Sequence, residues 1–369
     1  MTRLTGLRLT SSPLVRHVSL AIVGAVFFYF LTSSLSPFHD YEVGLIALYT
    51  IAVAGLSLLT GVNGQISLGH GAFMATGAYT FAYIQAHASV PLAVQLIAAV
   101  VASAVLGVIV GVPATRLSGP YLAGMTLVLA LGLPQLGDKY TSLFGGNEGL
   151  HPNPLVNPAS VNPDRWLAWI QIICALVTLV LLANLVRSHF GRSMRAVRDG
   201  EIAASLAGIH VARTKVLTFA ISSACAGLAG ALLAISTGVV DPGEFELTLS
   251  IYLLAAMVLG GAGSLGGAWW GGILIVFLPE WSTSLSRSFS LGGSVSASLA
   301  VVIYGLVLIV VMMVAPTGIQ GGLRWLGRRA LALAGARPSP ITPVATSPGL
   351  GAAPPLSTVP TSESERTLP

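Results

Sequence analysis

The sequence predicts an all-α protein, a polytopic inner-membrane bundle of about ten transmembrane helices with a broken or re-entrant pair near residues 250–280. Hydrophobic residues make up 54% of the 369 positions and charged residues 8%, whereas a typical soluble domain is roughly 25% charged. Mean hydropathy is +0.82. Between Glu42 and Asp138 the only charged residue is Arg116, and a charge-free run of this length is typical of chains buried in lipid.

Apolar stretches follow one another along most of the chain. Three arginines precede the first stretch, so residues 1–17 are predicted to be a cytoplasmic N-terminus. Two of the stretches, 250–262 and 266–280, are shorter than the ~20 residues of a straight crossing, and glycine-interrupted segments of this kind are typical of helices that break inside the protein. The predicted spans are 18–35, 43–60, 67–86, 92–112, 119–137, 166–186, 214–237, 250–262, 266–280 and 296–315.

The distribution of basic residues predicts the orientation of this bundle. Ten crossings, or nine with a re-entrant pair, place both termini in the cytoplasm together with the basic segment 187–215, as the positive-inside rule requires. The predicted transmembrane domain is then 18–320. Residues 321–369 are predicted to be a cytoplasmic basic stretch followed by a disordered tail rich in Pro, Ser and Thr.

Residues 187–215 are the one long, strongly charged segment between apolar spans. Ile202, Leu206 and Ile209 recur at helical spacing. The pairs Arg195–Asp199 and Arg198–Glu201 have the spacing of neighbours on a helix surface. The pattern predicts a cytoplasmic helix at about 192–209 whose small and apolar face docks on another protein. The alternative is a solvated loop whose charges serve only the topology.

A second group of polar residues interrupts the apolar sequence between Gly55 and Tyr79. Polar groups in lipid are costly and usually face the bundle interior or a pathway, so these four are candidate translocation residues: Asn63, Gln65, Ser67 and His70. The alternative is that they cap and pack the start of a helix, with His70 bonded to a backbone carbonyl. Ser67 and His70 alone do not indicate a hydrolase, because no carboxylate lies nearby to orient the base.

Other motifs that carry chemistry are missing from the sequence. Cys174 and Cys225 lie in apolar stretches, which predicts small core residues rather than a disulfide or a metal site. There is no GxxxxGK[ST] phosphate-binding loop. The net charge of +5 comes mostly from cytoplasmic loops and does not indicate nucleic-acid binding. We therefore expect no catalytic residues, no metal and no cofactor bound by this chain.

Four segments resemble the LivM branch of the branched-chain amino acid ABC permease family, in the same order along about residues 43–320. They are GLSLLTGVNGQISLGHGAFMATGAY, GVPATRLSGPYLAGMTL, FGRSMRAVRDGEIAASLAGIHVARTKVLTFAISSACAGLAGAL and VLGGAGSLGGAWWGGILIVFLPEW. The resemblance implies a permease subunit of an ATP-binding cassette importer in the bacterial inner membrane. It implies as partners a LivH-like second permease, an extracytoplasmic solute-binding protein, membrane lipids and two ATPase subunits, which bind ATP and Mg²⁺.

The same resemblance gives the charged segment a role. In such importers a cytoplasmic coupling helix with an EAA-type motif docks on the ATPase, and this chain matches the motif except that Ile202 is inserted after the glutamate. The residues expected to couple to the ATPase are Arg195, Arg198, Glu201, Ala203, Ala204 and Gly208. The implied cargo is branched-chain or other hydrophobic amino acids. Two alternatives remain open: the same machinery carrying urea or short-chain amides, and a secondary transporter or channel.

Overall fold

A computed structural model describes residues 13–34, 36–117, 119–153, 161–288 and 318–333, with a few single positions between 302 and 313. Residues 1–12 of the predicted N-terminal segment 1–17, most of the tenth predicted span and the tail from residue 334 lie outside the described residues. Residues 1–325 form one compact unit. Residues 326–369 form a second unit, in which the structure describes helix to Leu333.

The elements of the described part are helices, which confirms the all-α prediction. Beyond them, Leu150 and Val240 form an isolated antiparallel bridge. The longer helices are α1 Pro13–Ser34, α2 Pro37–Leu56 with a π-helical end Ser57–Val62, α3 His70–His87, α4 Leu92–Ala114, α5 Pro120–Lys139, α7 Pro163–Arg187, α10 Val211–Thr237, α11 Leu247–Gly261, α12 Leu265–Ser288 and α13 Gly318–Leu333. The short ones are α6 Thr141–Phe144, α8 His189–Asp199, α9 Glu201–Leu206, and the 3₁₀ turns Gly146–Glu148 and Pro242–Phe245.

Seven helices of the described part are long and apolar enough to cross a membrane, so the chain is a multi-pass membrane protein. The first nine predicted spans coincide with described helices. The predicted break near 260 is present, because α11 ends at Gly261 and α12 begins at Leu265. The predicted end of the ninth span at residue 280 is wrong. Helix α12 continues through Pro279 to Ser288, since membrane helices tolerate an internal proline when neighbouring groups satisfy the backbone.

Helix α10 lies at the centre of the bundle, packed against α2, α3 and α4. Glycines allow this packing, because small residues let helix backbones approach closely where lipid provides no hydrophobic drive. A Cβ atom built on Gly77 of α3 would overlap the carbonyl oxygen of Gly227 on α10, and one on Gly230 would overlap the carbonyl oxygen of Met74. The two helices therefore cross at a contact that only glycine permits.

We expect the Gly77→Ala substitution to destabilise the protein by about 1–3 kcal/mol, the usual cost of inserting a methyl group into a packed interior. Gly124→Ala on α5 is the matched control, because its Cβ would meet nothing within 4 Å and alanine is the better helix former. Thermal unfolding of the two purified variants in the same detergent measures the difference. Equal melting temperatures would contradict the crossing described above.

The break between α2 and α3 packs against the break between α11 and α12. The Oγ of Ser57 accepts a hydrogen bond of 3.0 Å from the backbone N of Gly263, and a Cβ on Gly61 would overlap the backbone of Gly263. On the other side of this contact, Arg324 of α13 donates to the Oγ of Ser264 over 3.0 Å. The two irregular segments therefore contact each other inside the protein, where non-helical backbone is tolerated because it is not exposed to lipid.

Candidate functional site

The charged segment 187–215 folds as two short helices. Ser188 caps α8, its Oγ accepting from the backbone N of Gly191. Helix α8 ends at Asp199, Gly200 is extended, and α9 runs from Glu201 to Leu206. The predicted single helix at 192–209 is therefore wrong in its continuity, because glycine at the Gly200 position is among the weakest helix formers.

The chain reverses after α9 at Gly208. Gly208 has a φ of +82°, the left-handed conformation that glycine adopts without steric cost. The backbone N of Ile209 donates to the carbonyl of Ala204 over 3.0 Å, the bond that typically accompanies a left-handed glycine at a helix C-terminus. This reversal directs the chain from α8 and α9 into the central helix α10.

Two exposed arginines that the sequence assigned to the ATPase contact are hydrogen bonded within the chain. Arg195 donates to the carbonyl of Val186 over 3.1 Å, and Arg198 donates to the carbonyl of Gly61 at the π-helical end of α2. Neither of the predicted pairs, Arg195–Asp199 and Arg198–Glu201, is an ion pair among the described residues. Backbone carbonyls of the membrane helices bind the guanidinium groups instead.

Glu201 forms its ion pair with Lys215, a partner that the sequence did not indicate. The Oε1 of Glu201 lies 2.6 Å from the Nζ of Lys215, whose side chain is only 5% exposed, whereas that of Glu201 is 48% exposed. The backbone carbonyl of Lys215 in turn accepts from Nε2 of Gln65 over 3.3 Å. Helix α9, the start of α10 and the segment that precedes α3 are thereby joined at one point.

The outer face of α9 is apolar and uncovered. Ile202 is 79% exposed and Leu206 is 84% exposed, and Ala203 and Gly208 are exposed beside them. Ala204, by contrast, is buried at 3% and packs inward. Of the six predicted coupling residues, five are therefore exposed and Ala204 is buried. Covering an exposed Ile or Leu side chain contributes about 1.5–3 kcal/mol, so this face is suited to a protein partner.

The four candidate translocation residues lie together in the irregular segment between α2 and α3. All four are buried within the chain, with exposures between 0% and 4%. His70 is hydrogen bonded through Nε2 to the carbonyl of Ala52 at 3.1 Å, and the Oγ of Ser67 accepts from Gly69 over 3.3 Å. These contacts match the packing alternative stated above, and a role in translocation stays a prediction.

Asn63 and Gln65 keep buried polar atoms without a hydrogen-bond partner in the described part of the chain. These atoms are both side-chain amide atoms of Asn63 and the Oε1 of Gln65. Buried polar atoms without a partner are costly and commonly bind water or a ligand. The described residues contain no group of three or more His, Cys, Asp or Glu that could hold a metal ion, and both cysteines are free thiols.

Comparison with known proteins shows the family of the chain. A family model described as "Branched-chain amino acid transport system / permease component" matches residues 40–312. The chain is 30% identical to the LivM permease protein of the high-affinity branched-chain amino acid transport system of Salmonella typhimurium, over 66% of this chain and 62% of that protein. It is also 30% identical to LivM of Escherichia coli strain K12, over 67% of this chain and 63% of that protein.

A second permease of the same named system is also similar. LivH of Escherichia coli strain K12 is 32% identical over 53% of this chain and 64% of that protein. The chain thus spans about three-fifths of the length of the LivM proteins it matches. No solved structure matches it.

Proposed function

Because the chain belongs to the family of permease components of branched-chain amino acid transport systems, we propose that it is the membrane-spanning subunit of an ATP-binding cassette importer for these amino acids. The names of its relatives support this cargo. One observation carries the proposal: the helix pair α8 and α9 presents an uncovered apolar face and contacts two membrane helices through Arg198 and Glu201. This arrangement suits a coupling element, which receives a displacement from a partner protein and passes it to the membrane helices.

The internal contacts of the helix pair explain how a push would reach the membrane. Arg198 joins α8 to the end of α2 at Gly61, and Glu201 joins α9 to α10 at Lys215. Helices α2 and α10 also pack directly on each other. A displacement of the docked face is therefore applied at two points of the bundle core, and close-packed cores transmit such strain rather than absorb it.

The importer we propose alternates between outward-facing and inward-facing states. ATP binding to two separate ATPase subunits supplies the differential interaction that shifts this equilibrium, since a ligand moves an equilibrium only by its unequal affinity for the two states. A solute-binding protein delivers the amino acid from outside, and a LivH-like second permease completes the pathway. Both termini of this chain lie in the cytoplasm, as the positive-inside distribution of its arginines favours.

The proposal is tested by reconstituting the chain with a LivH-like permease, both ATPases and the binding protein in vesicles. We expect uptake of labelled leucine that requires ATP and that isoleucine and valine compete. The matched control contains an ATPase that binds but does not hydrolyse ATP. Uptake that persists with this ATPase would favour a secondary transporter or channel. Uptake of urea or a short-chain amide in place of leucine would keep the machinery and replace the cargo.

A further inference from the structure

A groove of about 600 Å³ lies between α8 and the beginning of α10; Ala207 and Gly208, in the turn that joins α9 to α10, also line it, whereas Ile202 and Leu206 do not. Its rim is basic, with His189 and Arg192 on the side of α8 and His210 and Arg213 on the side of α10. Phe190 and Leu217 add apolar side chains to its lining. We call these six residues the basic groove.

The charge of the basic groove is not compensated within the chain. No carboxylate lines it, and in the part of the chain that the structure describes the guanidinium groups of Arg192 and Arg213 have neither an ion pair nor a hydrogen bond. The neighbouring Arg198 and Lys215 differ, because the guanidinium group of Arg198 donates to the carbonyl of Gly61 and the ammonium group of Lys215 pairs with Glu201. The basic residues of this segment therefore divide into a group that holds the fold together and a group that faces the groove.

With residues 187–215 on the cytoplasmic side, as their basic residues predict, the groove lies where lipid headgroups meet the hydrocarbon. Arg213 and Leu217 are four residues apart on α10 and so lie on the same face of that helix. The rise of 1.5 Å per residue places Leu217 about 6 Å deeper in the membrane. Leu217 is 51% exposed and faces away from the bundle core. In this position a lipid reaches Leu217 from within the bilayer, whereas a soluble partner would have to enter the bilayer to cover it.

We propose that the basic groove binds an anionic phospholipid of the cytoplasmic leaflet. Arg192 and Arg213 contact the phosphate of the headgroup from two different helices, and Phe190 and Leu217 lie along the first part of an acyl chain. Basic clusters on the cytoplasmic side of membrane helices attract such headgroups. Because α8 and α10 share the headgroup, the lipid links the cytoplasmic helix pair to the membrane. This inference requires only that the segment lies at a membrane surface and is independent of cargo.

The test measures lipid retention on the full-length chain, purified in detergent and mixed with phosphatidylglycerol and phosphatidylcholine, by native mass spectrometry. We expect the unsubstituted chain to retain phosphatidylglycerol in preference. The Arg192→Gln/Arg213→Gln variant is expected to bind it about tenfold or more weakly, since each basic residue near an anionic surface contributes substantially to binding. Arg187→Gln is the matched control, because Arg187 is exposed on the same segment but does not line the groove.

A conservative pair, Arg192→Lys/Arg213→Lys, distinguishes lost binding from lost folding, and we expect it to keep the preference for phosphatidylglycerol. Three results would overturn the proposal. One is an unchanged preference in the glutamine pair. Another is displacement of the lipid by millimolar inorganic phosphate, which would indicate a site for free anions. The third is loss of the bound lipid when a second permease subunit is added, which would make the groove a protein interface.

Discussion

We expect reversal of the charge at Lys215 to abolish ATP-driven uptake, and simultaneous reversal at Glu201 to restore much of it. Lys215→Glu places a carboxylate in a site that is only 5% exposed, opposite a second carboxylate that the ammonium now contacts at 2.6 Å. A buried charge without a partner is strongly destabilising. Glu201 is about half exposed to solvent, so the milder Glu201→Gln change is expected to lower the free energy of unfolding by about 1–3 kcal/mol.

The exchanged pair, Glu201→Lys/Lys215→Glu, decides what the glutamate contacts. If the pair acts within the chain, the double variant recovers uptake and substrate-stimulated ATP hydrolysis above both single variants. If Glu201 instead contacts the ATPase, the double variant stays as inactive as the single ones. Arg187→Glu serves as the control for charge reversal on the same segment, because Arg187 is exposed. The readouts are leucine uptake and substrate-stimulated ATP hydrolysis, each measured per amount of folded protein.

The second large effect is expected at Gly208. Its φ is +82° and a Cβ there would meet nothing within 4 Å of this chain, so any side chain would project toward the docking partner. We expect Gly208→Asn to lose substrate-stimulated ATP hydrolysis while it still inserts into the membrane. Asparagine is chosen because it tolerates the left-handed conformation better than other side chains, which separates obstruction of docking from backbone strain.

Gly238 provides the matched control for this substitution. It has a φ of +68° and open space around its Cβ position, but it follows the opposite end of α10. Gly238→Asn is therefore expected to keep stimulated ATP hydrolysis near that of the unsubstituted chain. Stimulated hydrolysis that is normal in both variants would remove Gly208 from the docking face. Loss in both would show that strain in the left-handed turn, and not obstruction, is the cause.

The membrane helices were predictable because each carries its own signal. A long apolar run without charges can persist in lipid only as a helix, so nine spans could be placed from residues 18–280 without knowledge of their neighbours. The end of α12 could not be placed in this way. Pro279 and Glu280 look like a boundary in the sequence, and the helix passes them to Ser288.

The contacts of the charged segment could not be predicted, because they depend on how distant parts of the chain meet. Glu201 and Lys215 are brought together by the reversal at Gly208. Arg198 meets Gly61 only because α8 packs against the π-helical end of α2. A signal was nonetheless present: Lys215 lies just inside an apolar span, where an ionisable residue usually has a partner. The distinction between exposed Ala203 and buried Ala204 follows from the break at Gly200, which the helical pattern did not reveal.

For the polar residues at the start of α3 and just before it, the sequence likewise predicted some features and not others. Their burial inside the bundle was expected from the cost of polar groups in lipid, and the bond from His70 to Ala52 is the packing alternative realised. The unpartnered atoms of Asn63 and Gln65 were not foreseeable. They follow the π-helical end of α2, a local irregularity that hydropathy does not report and that is frequent at functional sites.

The account depends most directly on the cytoplasmic position of α9, and the accessibility of Ile202→Cys to a membrane-impermeant thiol reagent tests it. Ile202 is 79% exposed, whereas Cys225 is buried and Cys174 is partly buried, so the unsubstituted chain provides the background. Ala86→Cys, at the opposite end of the bundle on α3, is the control. We predict that Ile202→Cys reacts in inverted vesicles, more slowly once the ATPases are bound, and not in intact cells. Reaction of Ile202→Cys in intact cells would contradict the topology and the coupling together.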